Sequence, residues 1–176
     1  MRRLLVPLLI LAALSPAAAL SAIAGKGPTD GTMTVRDGRG KLTLVIKGSL
    51  IGRFANGTLK IEDLDRNEGS DPVVRGYKTV KWGRGNSPTY SGKNVRFRLI
   101  GGRYRVNFTG KGLNFSLVAR GRVLIDGNGS LGDGIFYDGF YSLNGSEEES
   151  LPDEPTWISL VPPPPPPPPS SSRPSG

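Results

Sequence analysis

Apolar and polar residues alternate with a period of two through the middle of this 176-residue chain, and glycines interrupt the alternation. Leu42, Leu44 and Ile46 are interleaved with polar Thr43 and followed by Lys47. No stretch after the first 24 residues sustains the apolar spacing of an amphipathic helix. Alternation places successive side chains on opposite faces of a strand. The pattern therefore predicts an all-β fold, an antiparallel β-sandwich or barrel of about 8–10 short strands.

Two glycine-containing dipeptides predict hairpin turns. Asn56-Gly57 has the composition of a type I′ turn, in which both central residues have positive φ. Gly101-Gly102 separates two alternating runs and predicts a two-residue turn that joins them as a hairpin. The apolar face of this second hairpin would carry Val95, Phe97, Leu99, Tyr104, Val106 and Phe108.

The opposite face of that hairpin would be basic, with the side chains of Arg96, Arg98, Arg103 and Arg105. In this register Arg98 lies directly opposite Arg105, and opposed like charges destabilise a sheet by a few tenths of a kcal/mol to ~1 kcal/mol. Either a neighbouring strand supplies compensating carboxylates or the face is presented to an anionic partner. The candidate carboxylates are those of Glu62, Asp63 and Asp65.

A second basic region contains Arg75, Lys78, Lys81, Arg84 and Lys93, interleaved with the aromatic residues Tyr77, Trp82 and Tyr90. Basic groups can follow an anionic backbone while aromatic rings stack on sugars or bases. Tyr77 and Trp82 could equally be core residues of a strand. The candidate binding residues are the four hairpin arginines together with Lys78, Lys81, Trp82 and Arg84.

The N-terminus predicts export. Met1-Arg2-Arg3 is a short basic segment, residues 4–14 are apolar, and small residues follow up to Ala24. These are the features of a secretory signal peptide over residues 1–24, with cleavage after Ala19, Ala22 or Ala24. We expect a secreted or cell-envelope protein without a transmembrane segment after cleavage; the alternative is an uncleaved anchor.

The C-terminus has the composition of a disordered tail. Residues 145–176 contain an acidic cluster and then eight consecutive prolines from Pro162 to Pro169. Such a run favours an extended polyproline II rod. It could act as a spacer, as a ligand for a proline-binding partner, or as a solvated tail without a specific role. The sequence thus predicts one all-β domain over residues 25–144.

The charge of that domain indicates the kind of partner it would bind. The whole chain has a formal net charge of +8, but residues 25–144 hold 20 Lys and Arg against 10 Asp and Glu. A strongly basic domain favours polyanionic partners. Because the protein is expected to be exported, an anionic envelope polymer or surface fits better than nucleic acid.

The chain lacks most of the side chains that enzymes use for acid–base and nucleophilic catalysis. Histidine and cysteine are both absent, which removes the usual general base, the thiol nucleophile and the commonest metal ligands. Residues 126–133 resemble a calcium loop, but Leu131 and Tyr137 stand where a glycine and a bidentate glutamate belong, so a turn is the better interpretation. We expect no enzyme, metal or cofactor; a hydrolase using Glu62 and Asp63 is the remaining catalytic alternative.

Three stretches carry a resemblance to a known group of proteins. They are Val74-Arg75-Gly76-Tyr77, Tyr90-Ser91-Gly92 and the run from Phe97 to Arg105. Together they resemble small secreted β-rich proteins of high-GC bacteria, a group of unknown function. The resemblance spans most of residues 28–144 and implies export and an all-β domain. It implies no activity, cofactor or site residue.

These observations lead to two functional hypotheses of different classes. The first is a non-catalytic envelope or extracellular module that binds an anionic polymer or surface through its basic residues. The second is a structural or adaptor protein that recruits a protein partner through its proline-rich tail.

Overall fold

The computed structural model describes residues 29–65, 67, 69–127 and 138–161. The predicted signal peptide, most of the calcium-like loop and the proline run lie outside these residues. Within them the fold is all-β and antiparallel, as predicted, with the strands in the order β2-β4-β1-β5-β8 in a sheet that does not close on itself. The strands are β1 (Gly31–Asp63), β2 (Ser70–Arg75), β3 (Thr79–Gly83), β4 (Ser87–Ile100), β5 (Arg103–Asp126), β6 (Phe140–Leu143), β7 (Glu149–Ser150) and β8 (Thr156–Leu160).

The two longest strands, β1 with 33 residues and β5 with 24, coil around each other. Phe108 of β5 pairs with Leu42 of β1 on one side and with Leu59 of the same strand on the other. Leu42 in turn lies between Phe108 and Ile125. Both intervals are 17 residues, so each strand returns to its partner after one turn of that length. The expected set of short strands is thus replaced by two long strands that bend repeatedly.

Glycines form the bends of this coil. Gly40, Gly48 and Gly57 are spaced 8 and 9 residues apart in β1, about half of the 17-residue turn. All three have positive φ. Gly57 pairs with Gly110 of β5, and a Cβ on Gly57 would lie 2.4 Å from the carbonyl oxygen of Thr109. Only glycine accommodates both the backbone angle and the close approach. The buried positions also change parity across such bends, from Phe54 to Leu59 for example.

The prediction of a hairpin turn at Asn56-Gly57 is therefore wrong. Both residues lie inside β1, and Asn56 pairs with Lys93 on one side and Lys111 on the other. The positive φ expected of Gly57 is present, at +156°. A glycine with positive φ serves a bend within a strand as well as a turn between strands, so the dipeptide did not distinguish them.

The core lies inside the coil and is filled by alternate residues of β1, β4 and β5. The six residues predicted to share one face are all buried: Val95, Phe97, Leu99, Tyr104, Val106 and Phe108. The Phe54 ring packs against Phe108 and Phe97, with centroid separations of 5.3 and 6.5 Å. The Tyr104 hydroxyl donates a hydrogen bond of 2.8 Å to the carbonyl oxygen of Ser70, the first residue of β2.

The two strands of the predicted Gly101-Gly102 hairpin do not pair with each other, because β1 lies between β4 and β5. The connection crosses β1 instead: the Gly101 amide donates to Ser49 Oγ and the Gly48 amide donates to the Gly102 carbonyl, both at 3.0 Å. Arg98 is consequently not opposite Arg105. Two strands separated by a third present the same alternation to the core as two paired strands, so the pattern could not tell them apart.

The expectation of a disordered tail from residue 145 does not hold for residues 149–150 and 156–160, which form β7 and β8. β8 pairs with the last segment of β5, and Leu151 and Leu160 are buried in the core. Trp157 lies beneath the guanidinium of Arg122, at 4.5 Å from ring centroid to Cζ. The outer edge of β5 needs a hydrogen-bonding partner, and this segment provides it.

Candidate functional site

An open groove of about 1360 Å³ lies on the outer face of the sheet, on the side opposite the core. Segments of β1, β2, β4, β5 and β6 form its floor and walls. The floor combines the aliphatic side chains of Ile51 and Val118 with the hydroxyls of Thr34 and Ser116. Thr34 Oγ1 and Ser142 Oγ are 2.8 Å apart, which joins the floor to β6.

Five arginines line the groove: Arg36, Arg53, Arg75, Arg96 and Arg98. Arg96 of β4 pairs with Arg53 of β1 on one side and with Arg75 of β2 on the other. Three arginines thus stand in one row across three adjacent strands, whose backbones are about 4.8 Å apart. Arg98 begins the next row, where it lies between Ile51 and Val73.

The row and Arg98 beside it carry uncompensated charge within the part of the chain that the structure describes. There, Arg53, Arg75, Arg96 and Arg98 make no ion pair and no side-chain hydrogen bond, and all four are exposed. Directly opposed like charges cost a sheet a few tenths of a kcal/mol to ~1 kcal/mol. The row therefore creates a concentrated positive potential at a cost to stability.

A braced loop between β6 and β7 forms the rim of the groove. Glu148 is the one carboxylate among the described lining residues, and it pairs with Arg36 at 3.0 Å. Burial raises the pKa of Tyr141 to about 12, and a 2.7 Å hydrogen bond to Glu149 and the charge of that carboxylate add to the shift. Asn144 accepts a hydrogen bond from the Thr32 amide at 3.0 Å. These contacts hold the rim in place.

The structure divides the four candidate arginines of the predicted hairpin. Arg96 and Arg98 line the groove, whereas Arg103 and Arg105 lie on the segment of β5 that pairs with residues 41–47 and 58–63 of β1. Arg105 Nη1 donates to Glu62 Oε2 at 3.0 Å, which confirms Glu62 as a compensating carboxylate. Arg103 pairs with Lys47.

The second group of candidates lies on the hairpin of β3 and β4, and none of the four residues lines the groove. Lys81 pairs with Thr89 and Trp82 with Pro88, so successive side chains point to opposite faces of this hairpin. Trp82 is 64% exposed, which makes the alternative of a core residue wrong. Arg84 occupies the turn, where its carbonyl accepts from Ser87 Oγ. Lys78 precedes the strand, and its amide donates to the Ser91 carbonyl.

Sequence reasoning missed Arg36 and Arg53 and assigned Arg75 to the other basic region. Arg53 precedes Arg96 by 43 positions, and only the pairing of β1 with β4 brings them together. Their one local signal is that each is a charged residue at an outward position of an alternating run. That signal is shared by most basic residues of the chain and does not select these.

The remaining carboxylates of the charged loop have structural roles. Asp63 Oδ1 accepts from the Asp65 amide at 3.0 Å, and Asp65 Oδ1 accepts from the Asn67 amide at 3.2 Å. Such side-chain-to-backbone contacts terminate a strand. The described residues contain no group of three acidic side chains placed to hold a metal ion. Nor do they include a helix long and apolar enough to span a membrane.

The fold and the groove together define an all-β protein with an arginine-lined outer surface. Comparison with protein-family models, with curated proteins and with solved structures yields no match.

Proposed function

We propose that this chain is a non-catalytic binding module of the cell envelope or extracellular space that holds an anionic polymer or surface in the arginine groove. The observation that carries the proposal is the row formed by Arg75, Arg96 and Arg53. Three opposed cations without a carboxylate between them destabilise the sheet, and an anionic ligand would supply the missing negative charge. The predicted signal peptide supports export.

The shape of the groove favours an extended ligand over a small one. It is open along the sheet, and its lining comes from five strands. Arginines on β1, β2 and β4 can contact several anionic groups at once, and multiple weak contacts on one chain add to a useful affinity. A polymer or a charged surface can offer such groups, whereas a single small anion cannot.

The adaptor hypothesis has less support. Two of the three glutamates of the acidic cluster already have partners within the domain, Glu148 with Arg36 and Glu149 with Tyr141. The segment that follows them pairs with β5. The hypothesis then rests on the predicted role of the proline run and on the exposed carboxylates of Glu147, Asp153 and Glu154.

A salt titration of polymer binding with matched charge variants tests the proposal. The purified chain is titrated with immobilised polyphosphate, dextran sulfate and polyglutamate, with neutral dextran as the blank. We expect saturable binding to at least one anionic polymer, which weakens as salt rises. The Arg96→Gln/Arg98→Gln variant should bind at least tenfold more weakly, because each lost charged hydrogen bond accounts for about that factor.

The matched control is Arg103→Gln/Arg120→Gln, which removes the same charge from β5 outside the groove. It should retain most of the binding. Equal losses in the two variants would mean that net charge alone attracts the polymer, and the groove would then have no specific role. Absence of binding to every polymer at low salt would refute the proposed function.

A further inference from the structure

We infer that the ligand of the groove is a linear phosphate polymer, with phosphates joined directly or through short aliphatic linkers, and not a polymer whose charges sit on sugar rings. This inference rests on the proposed function and specifies its ligand class. Three properties of the groove support it: the type of cation, the spacing of the cations and the chemistry of the floor.

The cations of the groove are all arginines, although the chain has many lysines. Outward lysines such as Lys41, Lys47 and Lys60 lie on the segments that face away from the groove. A guanidinium offers five donors in a planar fork, whereas an ammonium acts as a point charge. Neighbouring guanidiniums can donate to different oxygens of one phosphate, which lets a phosphate bridge two adjacent strands.

The arginines are also closely spaced in both directions of the sheet. The backbones of Arg75, Arg96 and Arg53 follow one another at the strand separation of about 4.8 Å, and the backbones of Arg96 and Arg98 are two residues apart along β4, about 6.8 Å. A polymer that neutralises such an array needs anionic groups at equally short intervals. Phosphates in direct linkage, or joined by a two- or three-carbon unit, meet that need, whereas an intervening sugar ring moves the charges apart.

The described side chains of the groove floor present no exposed aromatic ring. Its outward side chains are aliphatic, hydroxylic or, at Asn114, an amide, and the side chains of Phe97 and Phe115 are buried, with 4% and 5% exposure. Recognition of bases and sugars ordinarily uses exposed aromatic faces. The exposed aromatic residues Tyr77, Trp82 and Trp157 lie elsewhere. The aliphatic side chains of Ile51, Val73 and Val118 beside the arginines suit short alkyl linkers between phosphates, whereas directly linked phosphates need no ring contact.

Arg36, the fifth arginine of the groove, is already neutralised by its ion pair with Glu148. Four arginines then remain for the ligand. Neutralisation of about four phosphates predicts that the logarithm of the affinity falls with the logarithm of salt with a slope of about −3.

A competition experiment on the full chain tests the ligand class. A fluorescent polyphosphate is bound first and then displaced by unlabelled polymers compared at equal charge: polyphosphate, poly(glycerol phosphate), polyglutamate, hyaluronate and single-stranded DNA. We expect each of the first two to compete at least tenfold more strongly than polyglutamate and hyaluronate. The ratio between the first two distinguishes directly linked from alkyl-linked phosphates.

A charge-preserving variant tests the role of the guanidinium fork. Arg53→Lys/Arg96→Lys should weaken polyphosphate binding about tenfold while net charge is unchanged, and Arg103→Lys/Arg120→Lys should have no such effect. Equal competition by carboxylate polymers, or full binding by the groove lysine variant, would overturn the ligand class and leave the proposed function standing. DNA competing more strongly than both ring-free phosphate polymers would overturn it too, because bases would then contribute.

Discussion

The bend at Gly110 offers the sharpest test of the coiled architecture. Its φ is +153°, and a Cβ at this position would lie 2.2 Å from the carbonyl oxygen of Asn56 and 2.6 Å from the Cα of Gly57. The atoms it would meet belong to the backbone of β1, which is itself paired on both sides. Neither the added methyl group nor its neighbours can move cheaply.

We expect Gly110→Ala to lower the free energy of unfolding by about 4 kcal/mol. Backbone strain in a glycine-only region contributes about 1–3 kcal/mol, and forced overpacking adds a similar amount. Small domains have only about 5–15 kcal/mol of stability in total, so the loss is large. Urea denaturation followed by far-UV circular dichroism measures it, with the slope checked for two-state behaviour.

Two further glycines provide a graded control series. Gly85 has a φ of +70° but an added Cβ would meet nothing within 4 Å, so Gly85→Ala should cost only about 1–2 kcal/mol. Gly76 is intermediate, with φ +80° and the Asn94 carbonyl oxygen at 3.1 Å. The expected order of losses is Gly85, then Gly76, then Gly110. If Gly110→Ala cost no more than Gly85→Ala, the close contact at the bend would be refuted.

Three more outcomes follow from single contacts. Arg96→Gln should raise the free energy of unfolding by up to ~1 kcal/mol at low salt and by much less in 1 M salt, because it removes a like charge between two arginines; a loss of stability would contradict the repulsion. Burial, with the hydrogen bond to Glu149 and the charge of that carboxylate, raises the pKa of Tyr141 from 10.0 to about 12, so its contribution is complete below pH 10 and is lost as the pH rises towards 12. The difference in stability between the wild-type chain and Tyr141→Phe should therefore shrink across that range, and a constant difference would refute the raised pKa. A double-mutant cycle with Trp157→Ala and Arg122→Ala should give a coupling of about 0.5–1 kcal/mol for their exposed cation–π contact; zero coupling would mean that the contact adds nothing.

The arginine site shows how far local patterns reach. Outward positions on a strand are a local property, so Arg96 and Arg98 could be assigned to an exposed face from the sequence. In the structure Arg96 lies between Arg53 of β1, which is 43 residues earlier in the sequence, and Arg75 of β2, which pairs with the other edge of β4. The predicted register joined Arg98 to Arg105 because two adjacent alternating runs with a glycine pair between them usually form a hairpin.

The boundary of the domain shows a second limit of composition. The acidic, proline-containing segment after residue 144 has the composition of a disordered tail, yet Trp157, Ile158 and Leu160 continue the sheet. A short strand of this kind gains its stability from the edge it covers and from the core contact of Leu160, which is 4% exposed. Neither is visible in the segment itself.

The all-β class and the alternation of side chains between core and surface within each run could be predicted from the sequence alone, because both follow from a two-residue repeat along one strand. The tertiary structure was needed to establish that two long strands coil around each other, that Gly57 lies at a bend and not at a turn, and that arginines from three strands form one row. Those features depend on which segments pair and in which register. Pairing is set by packing and loop closure over the whole chain, and apolar alternation is compatible with many pairings at once.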